Sequence, residues 1–182
     1  RRLNQLLYSL KSRTGEPFLF LTGGDRIQRA GDVVRTDLDE FEEAIEDNRL
    51  LTSLSHLEQG FLSQIEASAK RSLSDWICAR EAELRMRLRR RAERVWIESE
   101  RDSEWPRAAM AATVLLSLVP GNEGHLRRLM EARGKAGFRL EAEEAFRMFQ
   151  SHMEEECHCP WTPEPETAEL LTRIRAVDSN LA

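Results

Sequence analysis

The sequence predicts a mainly α protein: an array of helical hairpins, preceded by a short segment that carries the β signal. Three observations support this. From Asp37 onward apolar residues recur at helical spacing. The only extended-plus-turn pattern lies within residues 18–34. The helical part also matches itself when displaced by 34 residues.

Leu3, Leu6, Leu7 and Leu10 fall on one face of a leading helix, with Gly15 and Pro17 placed to stop it. Phe18–Leu21 and Arg26–Gln28 then flank a Gly-Gly-Asp turn and predict a β-hairpin, with Val33–Val34 as a further extended piece. Asp37 or Asp39 can cap a helix that carries Leu38, Phe41, Ala44 and Ile45. A second helix spans about Leu50–Gln59 and ends at Gly60. "SQIEASAKRSL" reads as a loop with a short helical piece, after which Ser74 caps a long helix. Its inner stripe is Ile77, Leu84, Leu88, Ala92 and Val95, flanked by Trp96. Its outer face offers Glu81–Arg85 and Glu83–Arg87 at i, i+4. Ser103–Pro106 makes a turn, and a helix from about Arg107 to Val119 stops at "PGN". "EGHLRRLMEARGKAGFRLEAEEAFRMFQ" is a helical hairpin hinged at Gly137. After it come a Pro-rich break, "CHCPWTPEP", and a last helix in "ETAELLTRIRAV".

The 34-residue shift places Ala108 on Ala142, Ala111 on Ala145, Leu115 on Phe149, Ala92 on Leu126, Val95 on Leu129 and Trp96 on Met130. Ser103 falls on Gly137. Small residues recur where two helices cross closely, and large ones recur between them. This is the period of tetratricopeptide (TPR) units, whose hairpins bury their apolar faces only by stacking. Such arrays present surfaces to peptides, partner domains or further copies of themselves.

Composition narrows the classes. The 182 residues are 32% charged and 41% hydrophobic with nine Gly and six Pro, the profile of a helix-rich globular chain. The longest nearly apolar run, Ala108–Val119, is too short to span a bilayer. The opening "RRLNQLLYSLKSR" lacks the apolar core of a signal peptide. Three cysteines in such a chain point to a reducing compartment, and a cytoplasmic location is expected. No initiator Met is present, so a longer parent protein is expected. The net charge of −5 is uneven: residues 1–35 hold seven Arg/Lys against three Asp/Glu, which leaves 20 basic and 29 acidic groups in the rest. A basic leading piece on an acidic body suits a nucleic-acid-facing end attached to something else.

The order of elements is more specific than the repeat. "VVRTDLDEF", "GFLSQIE…SDWICAREAELRMRL", "AATVLLSLVPGNEGHLRRLMEARGKAGFRLEAEEAF" and "PEPETAELL" follow one another. This series resembles the bacterial transcriptional activator domain of antibiotic-regulatory-protein (SARP) type regulators. In that family a winged helix-turn-helix precedes a TPR-like domain. The resemblance is carried by Asp37 and Phe41, by Gly60, Phe61, Leu62, Trp76 and Arg80, and by Pro120, Glu123, His125, Leu126, Leu129 and Met130. Glu141, Ala142 and Ala145, and then Pro165…Thr167, complete it. It covers Asp37–Ile174 and extends more loosely to residues 1–36. A Leu-Gly pair usual in the family is replaced here by "CHCPW". The resemblance implies residues 1–36 as the C-terminal part of a winged domain and 37–178 as the activator domain.

It also implies that residues 1–14 form most of a recognition helix. With the Leu stripe inward, Arg1, Gln5, Tyr8 and Ser12 face outward with Asn4 and Ser9 beside them. Arg and Gln can read base edges, while Ser and Tyr hold phosphates. Arg26 and Arg29 would serve as a wing on the minor groove or phosphates. A solvated helix face is the plainer alternative. The implied partners are double-stranded DNA, a second copy of the chain, and RNA polymerase or a co-regulator. The rival expectation is a TPR-like scaffold that binds protein and not DNA.

Other candidates carry less. His152, Cys157, His158 and Cys159 suggest zinc, but the cysteines are spaced more tightly than C-x₂₋₄-C and no second ligand pair exists, so no metal site is expected. A helix end and a loop with partly packed cysteines is expected instead, with Cys78 as core filler. "RMRLRRRAER" is interleaved with Glu and reads as a solvated face. "LTGGD" lacks the Lys-Ser/Thr of a phosphate loop. His56 and His125 have no evident catalytic partners, and neither catalysis nor a cofactor is expected.

Overall fold

The computed structural model describes residues 12, 20–23, 26–29, 36–60 and 71–176. Backbone packing divides the chain into two compact units, Arg1–Glu40 and Phe41–Ala182. The division falls four residues beyond the expected boundary, inside the first helix described below.

In the first unit, β1 (Phe20–Gly23) pairs antiparallel with β2 (Arg26–Arg29). Phe20 stands opposite Arg29 and Gly23 opposite Arg26, with Gly24 and Asp25 between them in sequence. Gly23, expected in the turn, is thus a strand residue. The Gly15 stop, Val33–Val34 and the leading helix lie outside the described residues, except that Ser12 is helical and exposed.

Helix α1 (Asp37–Glu46) is capped by neither expected aspartate. Thr36 is the capping residue: its Oγ1 accepts from the Asp39 N–H at 3.3 Å, and Asp39 Oδ2 accepts from the Thr36 N–H at 2.8 Å. This is a capping box with Asp39 in its third position, and it occupies two donors that the helix cannot pair internally.

The second unit is mainly α. After α1 come α2 (Leu50–Glu58), α3 (Arg71–Arg101), α4 (Trp105–Leu118), α5 (Glu123–Lys135), α6 (Arg139–Cys157) and α7 (Pro165–Ala176). Helix α3 begins at Arg71, so Ser74 lies within its first turn and is not the cap. Helix α4 begins at Trp105, two residues early, because Pro106 in the first turn has no N–H to leave unpaired there. Of residues 63–73, read as a loop with a short helical piece, 71–73 already belong to α3 and the rest lie outside the described residues.

Consecutive helices from α3 to α6 pack pairwise, α2 packs on α3 and α4, and α7 packs on α5 and α6. The α3 stripe of Ile77, Leu84, Leu88, Ala92, Val95 and Trp96 is buried throughout. All six residue pairs related by the 34-residue shift are buried at both members. Alanines at 92, 108, 111, 142 and 145 remove side-chain bulk at these crossings, so the backbones can approach closely.

The turns repeat as well. The α3–α4 turn has Glu104 N–H donating to Ser99 O at 2.8 Å and Ser103 N–H donating to Glu100 O at 3.2 Å. Shifted by 34, the α5–α6 turn has Phe138 N–H on Arg133 O at 2.8 Å and Gly137 N–H on Gly134 O at 3.1 Å. The α1–α2 turn repeats the pattern, with Arg49 N–H on Ala44 O at 2.8 Å and Asn48 N–H on Ile45 O at 3.3 Å. The residue between helices is left-handed each time: Asn48 at φ 59°, Ser103 at 58° and Gly137 at 87°. These are Schellman turns, in which the left-handed residue lets two N–H groups reach back to carbonyls the helix leaves open.

Candidate interaction surfaces

Of the residues proposed to face DNA, Arg1, Asn4, Gln5, Tyr8 and Ser9 lie outside the described residues. Ser12 is exposed on helical backbone. Arg26 and Arg29 begin and end β2 itself, about 10 Å apart along the strand at its usual rise.

The basic run of α3 is used differently from the expected ladder. Glu83 bonds Arg80 at 2.6 Å, while Arg87 crosses to Glu42 on α1 at 2.7 Å. Arg89 bonds Glu93 at 3.0 Å. Arg85, Arg90 and Arg94 are exposed, without an ion pair among the described residues. Sequence spacing identified neighbours on one helix but could not show that α1 supplies a competing carboxylate.

The His/Cys stretch forms no cluster. Cys157 ends α6, His158 is left-handed at φ 50°, and Cys157 and Cys159 are both exposed, not partly packed. Cys78 is exposed too, on the outer side of α3, and is not core filler. Among the described residues no group of three or more His, Cys, Asp or Glu side chains converges on a point. Trp161 anchors the loop, its ring 5.8 Å from Phe146 and 5.2 Å from Phe149 by centroids. The 34-residue comparison gave no sign of this contact, because the loop has no counterpart in the repeat.

Two polar features between helices were not visible in the sequence. Glu123 Oε2 accepts from Thr167 Oγ1 at 2.7 Å and from the Glu164 N–H at 3.0 Å. Arg127 Nη1 donates to Glu164 Oε2 at 2.6 Å and to Thr167 Oγ1 at 3.0 Å. The start of α7 is thereby fastened to α5. His125 is buried, and its Nε2 has no hydrogen-bond partner. Burial first, then the charges of Arg128 and Arg89, push its pKa below the ordinary histidine value, with Glu93 opposing them.

Cations also brace the array. Arg128 lies over the Trp96 ring at 5.6 Å, tying α5 to α3, and Lys135 lies over Trp105 at 4.2 Å, tying α5 to α4. A surface groove of about 270 Å³ runs between α4, α5 and α6, lined mainly by Leu116, Leu129, Met148 and Phe149 with Arg133 and His152. No helix among the described residues is long and apolar enough to cross a membrane.

No family model matches the chain, and no curated protein matches it.

Proposed function

We propose that the protein is a DNA-binding transcription regulator of the antibiotic-regulatory-protein type. Its TPR-like helical array would serve dimerisation or contact with RNA polymerase or a co-regulator. One observation supports this above the others: a basic, Leu-striped segment runs into an antiparallel hairpin bearing Arg26 and Arg29, and an array of repeated helical hairpins follows. In this reading residues 1–36 belong to a winged domain. Arg1, Asn4, Gln5, Tyr8, Ser9 and Ser12 face the major groove, while Arg26 and Arg29 meet phosphates or the minor groove.

The mechanism is binding. Arginines displace counterions from phosphates and supply salt-dependent affinity, and a few side chains on the leading helix supply discrimination. The array then sets the distance between two reading heads. A second reading, a protein-binding scaffold without DNA contact, is favoured by the repeated turns alone, because they build a surface whether or not DNA is read.

Fluorescence anisotropy separates the two. The full-length gene product is titrated into labelled promoter duplex from its own operon and into scrambled duplex, at two salt concentrations. The regulator reading expects preference for promoter DNA and a steep loss of affinity with salt. Binding to neither duplex above that of a neutral control protein rejects it and leaves the scaffold.

A further inference from the structure

Two helices carry outward stripes of opposite charge, each with exposed apolar side chains among the charges. On α3, Met86, Arg90, Arg94 and Ile97 follow at intervals of four, four and three residues. At 100° per residue they occupy about 80° of the helix circumference. Met86 is 52% exposed and Ile97 63%. Arg90 and Arg94 are exposed without an ion pair among the described residues, and the neighbouring Glu93 is taken up by Arg89. On α6, Glu141, Glu144, Met148, Ser151 and Glu155 likewise occupy about 80°. All five are exposed, Met148 at 68%, and the three carboxylates have no ion pair among the described residues; one exposed cation, Arg147, borders the stripe beside Glu144 and Ser151.

A solvated face needs charge of either sign and no large apolar groups. A stripe dominated by one sign of charge, with apolar side chains flanking the arginines on α3 and lying among the carboxylates on α6, has the make-up of a contact surface, in which the apolar groups anchor and the charges select. The two stripes cannot meet within a chain, because α3 packs on α2 and α4 whereas α6 packs on α5 and α7. They are complementary between chains. We propose that the α3 stripe of one copy docks on the α6 stripe of a second copy. Nucleic acid fits less well: phosphates offer nothing to Met86 and Ile97, and the acidic stripe on α6 would go unused. Two such contacts close a symmetric pair, and one contact repeated gives a head-to-tail chain. The proposal names the partner for the array's contact role above and does not depend on DNA binding.

Sedimentation velocity of the whole chain across micromolar concentrations tests it without DNA, so its failure is distinct from failure of the regulator reading. The expected result is self-association that weakens by about tenfold or more between low and high salt. Arg90→Glu with Arg94→Glu abolishes it, as does Glu144→Arg with Glu155→Arg. An equimolar mixture of these two variants associates again, because each stripe of one then faces its opposite on the other. Ile97→Ser with Met148→Ser, which leaves every charge in place, weakens association as a second check. A wild-type chain that sediments as a monomer throughout overturns the proposal. So does a mixture of charge variants that stays monomeric while circular dichroism shows both folded. A monomeric wild type that loses duplex binding on the Arg90/Arg94 substitution would reassign the α3 stripe to nucleic acid.

Discussion

Thr167 Oγ1 donates to Glu123 Oε2 at 2.7 Å, joining the first residue of α5 to the first turn of α7 across 44 positions of sequence. Thr167 is fully buried, and its hydroxyl also accepts from Arg127 at 3.0 Å, so it is satisfied as both donor and acceptor. The pair holds the last helix of the array to its neighbour.

Thr167→Val keeps the shape and removes the hydroxyl. Glu123 and Arg127 each lose a partner, so a loss of about 1–2 kcal/mol is expected. Urea unfolding followed by circular dichroism measures it. Thr167→Ser retains most of the stability, and a Val variant as stable as wild type would show that water replaces the hydroxyl without cost.

The three Schellman turns make a graded comparison. Gly137 has open space where a Cβ would sit, so Gly137→Ala exposes the backbone cost of the left-handed conformation alone, about 1 kcal/mol. Ser103→Gly gains several tenths of a kcal/mol, and Asn48→Gly is close to neutral because Asn already tolerates this conformation. Thermal melts should show Ser103→Gly raised, Asn48→Gly unchanged and Gly137→Ala lowered relative to wild type. Equal shifts at all three sites would mean that tertiary packing, and not the local dihedral, sets the cost.

His125 makes stability depend on pH. Its folded-state pKa is lowered by burial first and then by Arg128 and Arg89. As pH falls through the ordinary histidine value of 6.5, the unfolded chain takes up a proton that the folded chain refuses. Stability is therefore unaffected by this group above that pH. It declines as pH falls from there toward the lower folded-state value, before most carboxylates titrate. Denaturant midpoints at pH 8, 7, 6 and 5.5 should fall for wild type and stay flatter for His125→Leu. Parallel curves for the two would remove His125 as the cause.

Trp161 is the anchor of the loop between α6 and α7. Trp161→Ala deletes its ring contacts with Phe146 and Phe149 at a cost of about 1–3 kcal/mol, since Trp161 is only half-buried. Limited proteolysis should then cut within residues 158–164, and an uncut loop would mean that the Arg127–Glu164 pair alone retains it.

The helices from α1 to α7, the inner stripe of α3 and the 34-residue register are readable in the chain itself, because they rest on local periodicity, and burial follows periodicity once any partner is available. The turn over Ser103–Pro106 is legible from its own residues, but the left-handed conformation at Ser103 is legible only through its alignment with Gly137, since serine by itself does not signal it. The Thr36–Asp39 cap of α1 is local, three residues apart, and the expectation of an aspartate cap passes over it. Tertiary structure alone decided which carboxylate Arg87 takes and that Cys78, Cys157 and Cys159 are exposed. It also decided that Thr167 meets Glu123 and that His125 is buried beside arginines. Each of these depends on which side chain of a distant element arrives at a given face. Helical spacing limits a residue to one face of its own helix, and only the packing of a second helix against that face determines its partner.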